Sequence, residues 1–169
     1  VVYEIDGKPA LDLYKTYLGD YAADLPNSGL RFPLSIKKLD DDPEVIRTLL
    51  AINESQKSLT FAGDVPQGYR ARLMKPDMEI LIDGAGAAAE NVINQNNKPA
   101  LGLLVSCVGR KIIMGQMVEE ELEAVEQALG SNVQLCGFYS YGEISSSSKD
   151  TLPCSLHNQT ITLTTIYED

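Results

Sequence analysis

The sequence predicts an α+β fold: a mixed β-sheet, made of an antiparallel meander and a parallel βαβ pair, with helices packed against it. The apolar stretch at 100–107 lacks alternation, as a central strand covered on both faces would. Val118, Leu122, Val125 and Leu129 then recur at helical spacing and stop at Gly130. A second strand at 133–141 follows within a few residues, so a single crossover joins two parallel strands. Earlier in the chain, strand candidates at 45–53, 58–62 and 69–74 are joined by short, turn-rich connections, which predicts the meander.

The remaining elements follow in order. Residues 1–5 read as a short strand closed by Asp6-Gly7, and Pro9 opens a helix whose Leu11, Tyr14, Leu18 and Tyr21 share one stripe. That pattern ends near Gly19. Residues 24–43 read as a long loop, rich in turn formers (Pro26, Asn27, Ser28, Gly29, Pro33) and closing on the acidic Asp40-Asp41-Asp42. Arg47, Arg70 and Arg72 fall on strand faces and are expected to be solvated. Asp77 is placed to cap a helix over 78–94, whose Gly84-Ala85-Gly86-Ala87-Ala88-Ala89 run permits close packing. Glu119, Glu120 and Glu121 lie in the first turn of the helix after 118, where the dipole favours negative charge. A polar loop at 145–150 and an alternating strand at 161–166 complete the chain.

Composition narrows the function. With 169 residues the chain is one domain or two small ones and can bury a core without staples. Cys107, Cys136 and Cys154 are odd in number and form no CxxC pair, which speaks against a disulfide framework or a metal site and for a reducing, cytoplasmic setting. A formal net charge of −10 disfavours nucleic acid and anionic lipid as partners, and no apolar run approaches the ~20 residues of a membrane span. The chain opens on Val1-Val2-Tyr3 without methionine and is expected to be a piece of a longer protein.

Polar chemistry concentrates at one rim. Two parallel strands end on the same edge, so Cys107-Val108-Gly109-Arg110 meets Tyr141-Gly142-Glu143 there, and a hairpin would bring Leu156-His157-Asn158-Gln159-Thr160 to the same edge. Along a strand over 137–144, Tyr139, Tyr141 and Glu143 share a face suited to a small cation, while Arg110 offers a guanidinium fork to a carboxylate. An amino acid presents both charges. Cys107, Arg110, Tyr139, Tyr141, Glu143, His157 and Asn158 are therefore the candidate ligand-binding residues, with Arg47 as a second anion partner. Arg110→Ala and Glu143→Gln are expected to abolish binding and spare the fold. The other reading of Arg110 and Glu143 is a mutual salt bridge.

Cys107, His157 and Asn158 are also the residue types of a cysteine hydrolase, but Asn158 is adjacent to His157 in sequence and cannot readily orient its ring. A non-enzymatic adaptor is the third reading, with Ile112, Ile113, Met114 and Met117 as its apolar candidates. No catalytic residue, metal or cofactor is expected.

Over nearly its whole length the chain resembles the C-terminal half of the FIST sensory domain. The resemblance rests on Tyr3-Glu4-Ile5-Asp6-Gly7-Lys8-Pro9-Ala10, Arg31-Phe32-Pro33-Leu34, Val45-Ile46-Arg47, Phe61-Ala62-Gly63-Asp64-Val65-Pro66-Gln67-Gly68 and the three rim motifs, in that order. It implies a single domain over 1–169, a ligand-binding module of an intracellular signal-transduction protein, with an amino acid as the leading ligand class. It further implies an N-terminal FIST module and a downstream signalling protein as partners.

Overall fold

In the computed structural model, which describes residues 1–40, 42–93, 99–130, 132–146 and 154–167, the chain divides into two units, Val1–Pro76 and Asp77–Asp169. The expected helix end at 94, Asp41 and most of the 145–150 loop lie outside the described residues.

In the first unit, β1 (Glu4–Ile5) and β2 (Lys8–Pro9) form a minimal hairpin around Asp6 and Gly7, both at positive φ. Helix α1 (Ala10–Leu18) buries Ala10, Leu11, Tyr14 and Leu18, and Gly19 at φ 56° ends it. The expected stripe is therefore real, although Tyr21 falls beyond the helix and is exposed. The 24–43 segment departs from the expected loop, because it contains β3 (Leu34–Lys37). β3 is the middle strand of a sheet, antiparallel to both β4 (Val45–Arg47) and β7 (Arg70–Leu73).

The 45–53 strand is two strands, since β5 (Leu49–Asn53) leaves β4 and forms a separate antiparallel hairpin with β6 (Ser58–Phe61). The meander is thus real for one hairpin only; the connection after β6 carries β7 to β3. Leu11, Leu34, Ile36, Leu49, Leu59 and Phe61 form the core of this unit. Arg47 is buried rather than solvated. Its Nε donates to Asp64 O at 2.8 Å and its Nη1 to Ile46 O at 3.0 Å, so it works as a backbone tie. Arg70 and Arg72 are exposed, as expected, and pair with Asp40 and Glu44.

The second unit begins with α2 (Met78–Val92), capped by the Asp77 side chain, which accepts from the backbone N–H groups of Glu79 and Ile80. β8 (Leu101–Cys107) leads into α3 (Val108–Met114), then α4 (Val118–Leu129), and Gly130 at φ 91° releases the chain into β9 (Gln134–Ser140). β9 lies parallel to β8 with Leu104 opposite Gly137 and Ser106 opposite Tyr139. β10 (Glu143–Ser145) and β11 (Ser155–His157) form an antiparallel hairpin, and β12 (Ile161–Ile166) runs antiparallel to β8 on its other side.

β8 is thus the central strand of the order β12-β8-β9, the expected parallel pair included. Its two faces differ. Leu104 packs with Ala85 and Ala89 of α2 and Val125 and Leu129 of α4, whereas Leu101, Leu103 and Val105 on the opposite face are half-buried. Within the unit, alanines of α2 reach 0 % exposure, which is what the small-residue run achieves. Ile113 and Met114 are core, leaving Ile112 as the exposed member of that apolar patch.

Candidate functional site

The rim forms as the topology requires. β8 ends at Cys107 and β9 at Ser140, paired in register, while β12 begins at Ile161 opposite Ser106. The Cys107 N–H donates to Thr160 O at 3.0 Å, closing the edge. What gathers there is a buried polar cluster. Glu143, 3 % exposed, accepts from Ser140 Oγ and from Thr160 Oγ1, the latter at 2.7 Å. Asn158, which follows the Glu143 strand partner His157, is also buried, with Nδ2 donating to His157 O at 3.0 Å. Cys107 is buried, and burial pushes its thiol above the ordinary value; backbone N–H groups of Gly109 and Gln159 oppose that, and the charge of Glu143 adds to it.

Two expected groupings do not form. The chain leaves the strand after Ser140, so Tyr139 is the next-to-last residue of β9, Tyr141 lies beyond it and stands 89 % exposed, and Glu143 opens β10. The three side chains therefore share no single strand face. Gly142 lets the chain bend there; a Cβ on it would come within 3.1 Å of Leu156 Cδ1. Nor does Arg110 meet Glu143. Its guanidinium is 5 % exposed and grips Glu121 Oε1 through Nε at 2.6 Å and Nη2 at 2.5 Å, while Nη2 also donates to Leu81 O at 2.8 Å. Arg110→Ala would thus strand a buried carboxylate, and the expectation that it spares the fold does not hold.

Glu121 is the residue that sequence reasoning misplaced. It sits in the acidic first turn of α4, yet it is 1 % exposed, whereas Leu122, assigned to the apolar stripe, is 45 % exposed. A signal was present: Glu121, Val125 and Leu129 are spaced by four, so the carboxylate occupies the buried stripe. A carboxylate in that stripe requires a cationic partner, and Arg110 supplies it.

Beside Glu121, between α4 and β9, lies a cavity of about 570 Å³. Leu104, Val133, Leu135 and Ile161 make its apolar wall, and Ser106, Glu121 and Tyr139 its polar end. Ser106 Oγ donates to Glu121 Oε2 at 3.1 Å. Burial raises the Tyr139 phenol, with a further push from the Glu121 charge, and Lys111 Nζ stands 4.6 Å over the Tyr139 ring. Of the seven sequence-derived candidates, Tyr139 lines this cavity, and Arg110 acts behind it by fixing Glu121. Cys107, Glu143 and Asn158 form the adjoining buried cluster, and Tyr141 projects into solvent.

His157 is occupied elsewhere, with Nε2 3.0 Å from Ser155 Oγ and 3.3 Å from Ser145 O. A raised thiol pKa and an imidazole engaged with two serines do not make a nucleophile and its base. Among the described residues, no group of three His, Cys, Asp or Glu could hold a metal, and no helix is long and apolar enough to cross a membrane.

The sequence profile of the FIST C domain matches residues 10–146, and the chain belongs to that family. The match runs from the first unit into the second. FIST C domains are sensory-type domains of signalling proteins, a sensory rather than an enzymatic family. Neither the curated proteins nor the solved structures contain a match to the chain.

Proposed function

We propose that this chain is the ligand-sensing part of an intracellular signal-transduction protein and that its small-molecule ligand, an amino acid or similar zwitterion, occupies the cavity between α4 and β9. The observation that carries the reading is the buried, immobilised carboxylate of Glu121 at the polar end of a mostly apolar cavity. At about 570 Å³ the cavity is within the range of small-molecule sites. A ligand ammonium would meet Glu121 and the Tyr139 ring, its apolar part would lie on Leu104 and Leu135, and its carboxylate would face the mouth near Lys111. Occupancy would shift a conformational equilibrium by no more than the ligand's differential affinity for the two states, and an N-terminal FIST module and a downstream signalling protein would receive it.

The test is a thermal-shift screen of the chain against amino acids, amines and small acids. A ligand at 100 times its dissociation constant stabilises the folded state by about 2.7 kcal/mol. Leu122→Trp fills the cavity from the exposed side of α4 and should remove the shift without unfolding the protein. A shift that survives Leu122→Trp unchanged places the ligand elsewhere.

A further inference from the structure

We infer that the cavity reads an amine and an apolar body, and leaves a ligand carboxylate unread: its ligand class is a primary amine bearing an aromatic or branched aliphatic group. The inference rests on the cavity being the ligand site and sharpens which part of the ligand is recognised. Charge is the first reason. Among the described residues, the formally charged side chains along the cavity are Glu121 and Glu126, and none of the lining residues is Lys or Arg. Arg110 lies behind Glu121, turns Nε and Nη2 to that carboxylate and Leu81 O, and is not among the residues lining the cavity. An incoming carboxylate would face two carboxylates of like sign.

Hydrogen-bonding capacity is the second reason. Each carboxylate oxygen accepts about two hydrogen bonds. Glu121 Oε1 takes both guanidinium contacts, whereas Oε2 takes the Ser106 hydroxyl at 3.1 Å, and an ammonium can complete it. Lys111 is exposed and already set against the Tyr139 ring, so a ligand carboxylate would gain only a solvent-screened contact there. Beyond the polar end, Leu104, Val133, Leu135 and Ile161, with Phe138, outweigh Gln134 and Glu126, and they favour an apolar body over a polar side chain.

Three compounds of one skeleton separate the contributions: phenylalanine, 2-phenylethylamine and 3-phenylpropionate, titrated calorimetrically into the chain at neutral pH. The amine should bind at least as tightly as phenylalanine, and the propionate at least about tenfold more weakly. A tenfold loss on going from phenylalanine to the amine, or equal binding of the propionate, overturns the inference while leaving the cavity as the site. So does failure of all three when another screened compound gives a shift that Leu122→Trp removes. If all three fail and no shift depends on Leu122, the cavity reading falls with it. The double variant Arg110→Met/Glu121→Met replaces the buried pair with apolar side chains and preserves packing, and it should erase the preference of amine over propionate. A preference that persists in that variant also overturns the inference.

Discussion

Replacing Arg110 with methionine keeps most of the apolar stem and deletes the guanidinium. Glu121, at 1 % exposure, would lose the donors at 2.6 and 2.5 Å and keep only the Ser106 hydroxyl at 3.1 Å. Removing one partner of a buried ion pair costs about 3–5 kcal/mol, a large share of the ~5–15 kcal/mol that holds a typical domain folded. Glu121→Met should cost a similar amount, because it strands the guanidinium instead. The double methionine variant leaves no charge behind, and such replacements range from neutral to ~1–4 kcal/mol stabilising. Hydrogen exchange followed by mass spectrometry on peptides covering β8 and α4 reads this locally. Protection should fall at least about a hundredfold in either single variant and return in the double. A single variant that changes exchange less than tenfold, or a double variant as unprotected as the sum of the two, would refute the claim that the pair is a coupled, desolvated unit.

A Cβ at Gly137 would lie 2.0 Å from Leu104 O, so Gly137→Ala must part β8 from β9 and should cost about 3 kcal/mol or more by urea unfolding. Gly84→Ala is its control: nothing lies within 4 Å of that position in α2, and the change should stabilise by up to ~1 kcal/mol. Burial raises the Tyr14 phenol well above its ordinary 10.0, and its hydroxyl donates to Phe32 O at 2.6 Å. That contribution is complete below pH 10.0 and is lost progressively as pH rises above it toward the folded-state value, so stability should decline with alkaline pH. Tyr14→Phe should flatten the decline and cost about 1 kcal/mol at neutral pH. Brief treatment with iodoacetamide at neutral pH should alkylate the exposed Cys136 and Cys154 and leave Cys107 unmodified, seen as two adducts by intact mass; rapid modification of Cys107 would revive the nucleophile reading.

The elements legible in the sequence are those with long periodic patterns. α1, α2, β8, α4 and β9 each carry an apolar stripe or run that a short-range rule can read, and Gly19 and Gly130 mark two of the ends. β3 escaped because it is four residues long, lies between Pro33 and the acidic Asp40 region, and buries Ser35 along with Leu34 and Ile36. Only its two neighbours, with partners 9 to 39 residues later in sequence, make it a strand, and no local pattern encodes that. The rim was legible as a place, since parallel strands must end together. The pairing within it was not, because Glu121 read as a first-turn residue favoured by the helix dipole, and recognising it as the partner of Arg110 requires knowing that it faces inward. The parity argument for Tyr139, Tyr141 and Glu143 failed because it assumed one continuous strand across Gly142.

The antiparallel partner of β8 arrives late. Leu101 pairs with Ile166 and Ser106 with Ile161, so one edge of the central strand waits while more than fifty further residues are synthesised. At about 5–20 residues per second, a ribosome exposes that unpaired edge for roughly 3 to 13 seconds. The helical crossover and the parallel β9 can assemble within that interval, since every residue they need has already emerged. Closure by β12 is then the slow, long-range step of maturation, and a nascent chain stalled before it would present an open apolar ladder to chaperones.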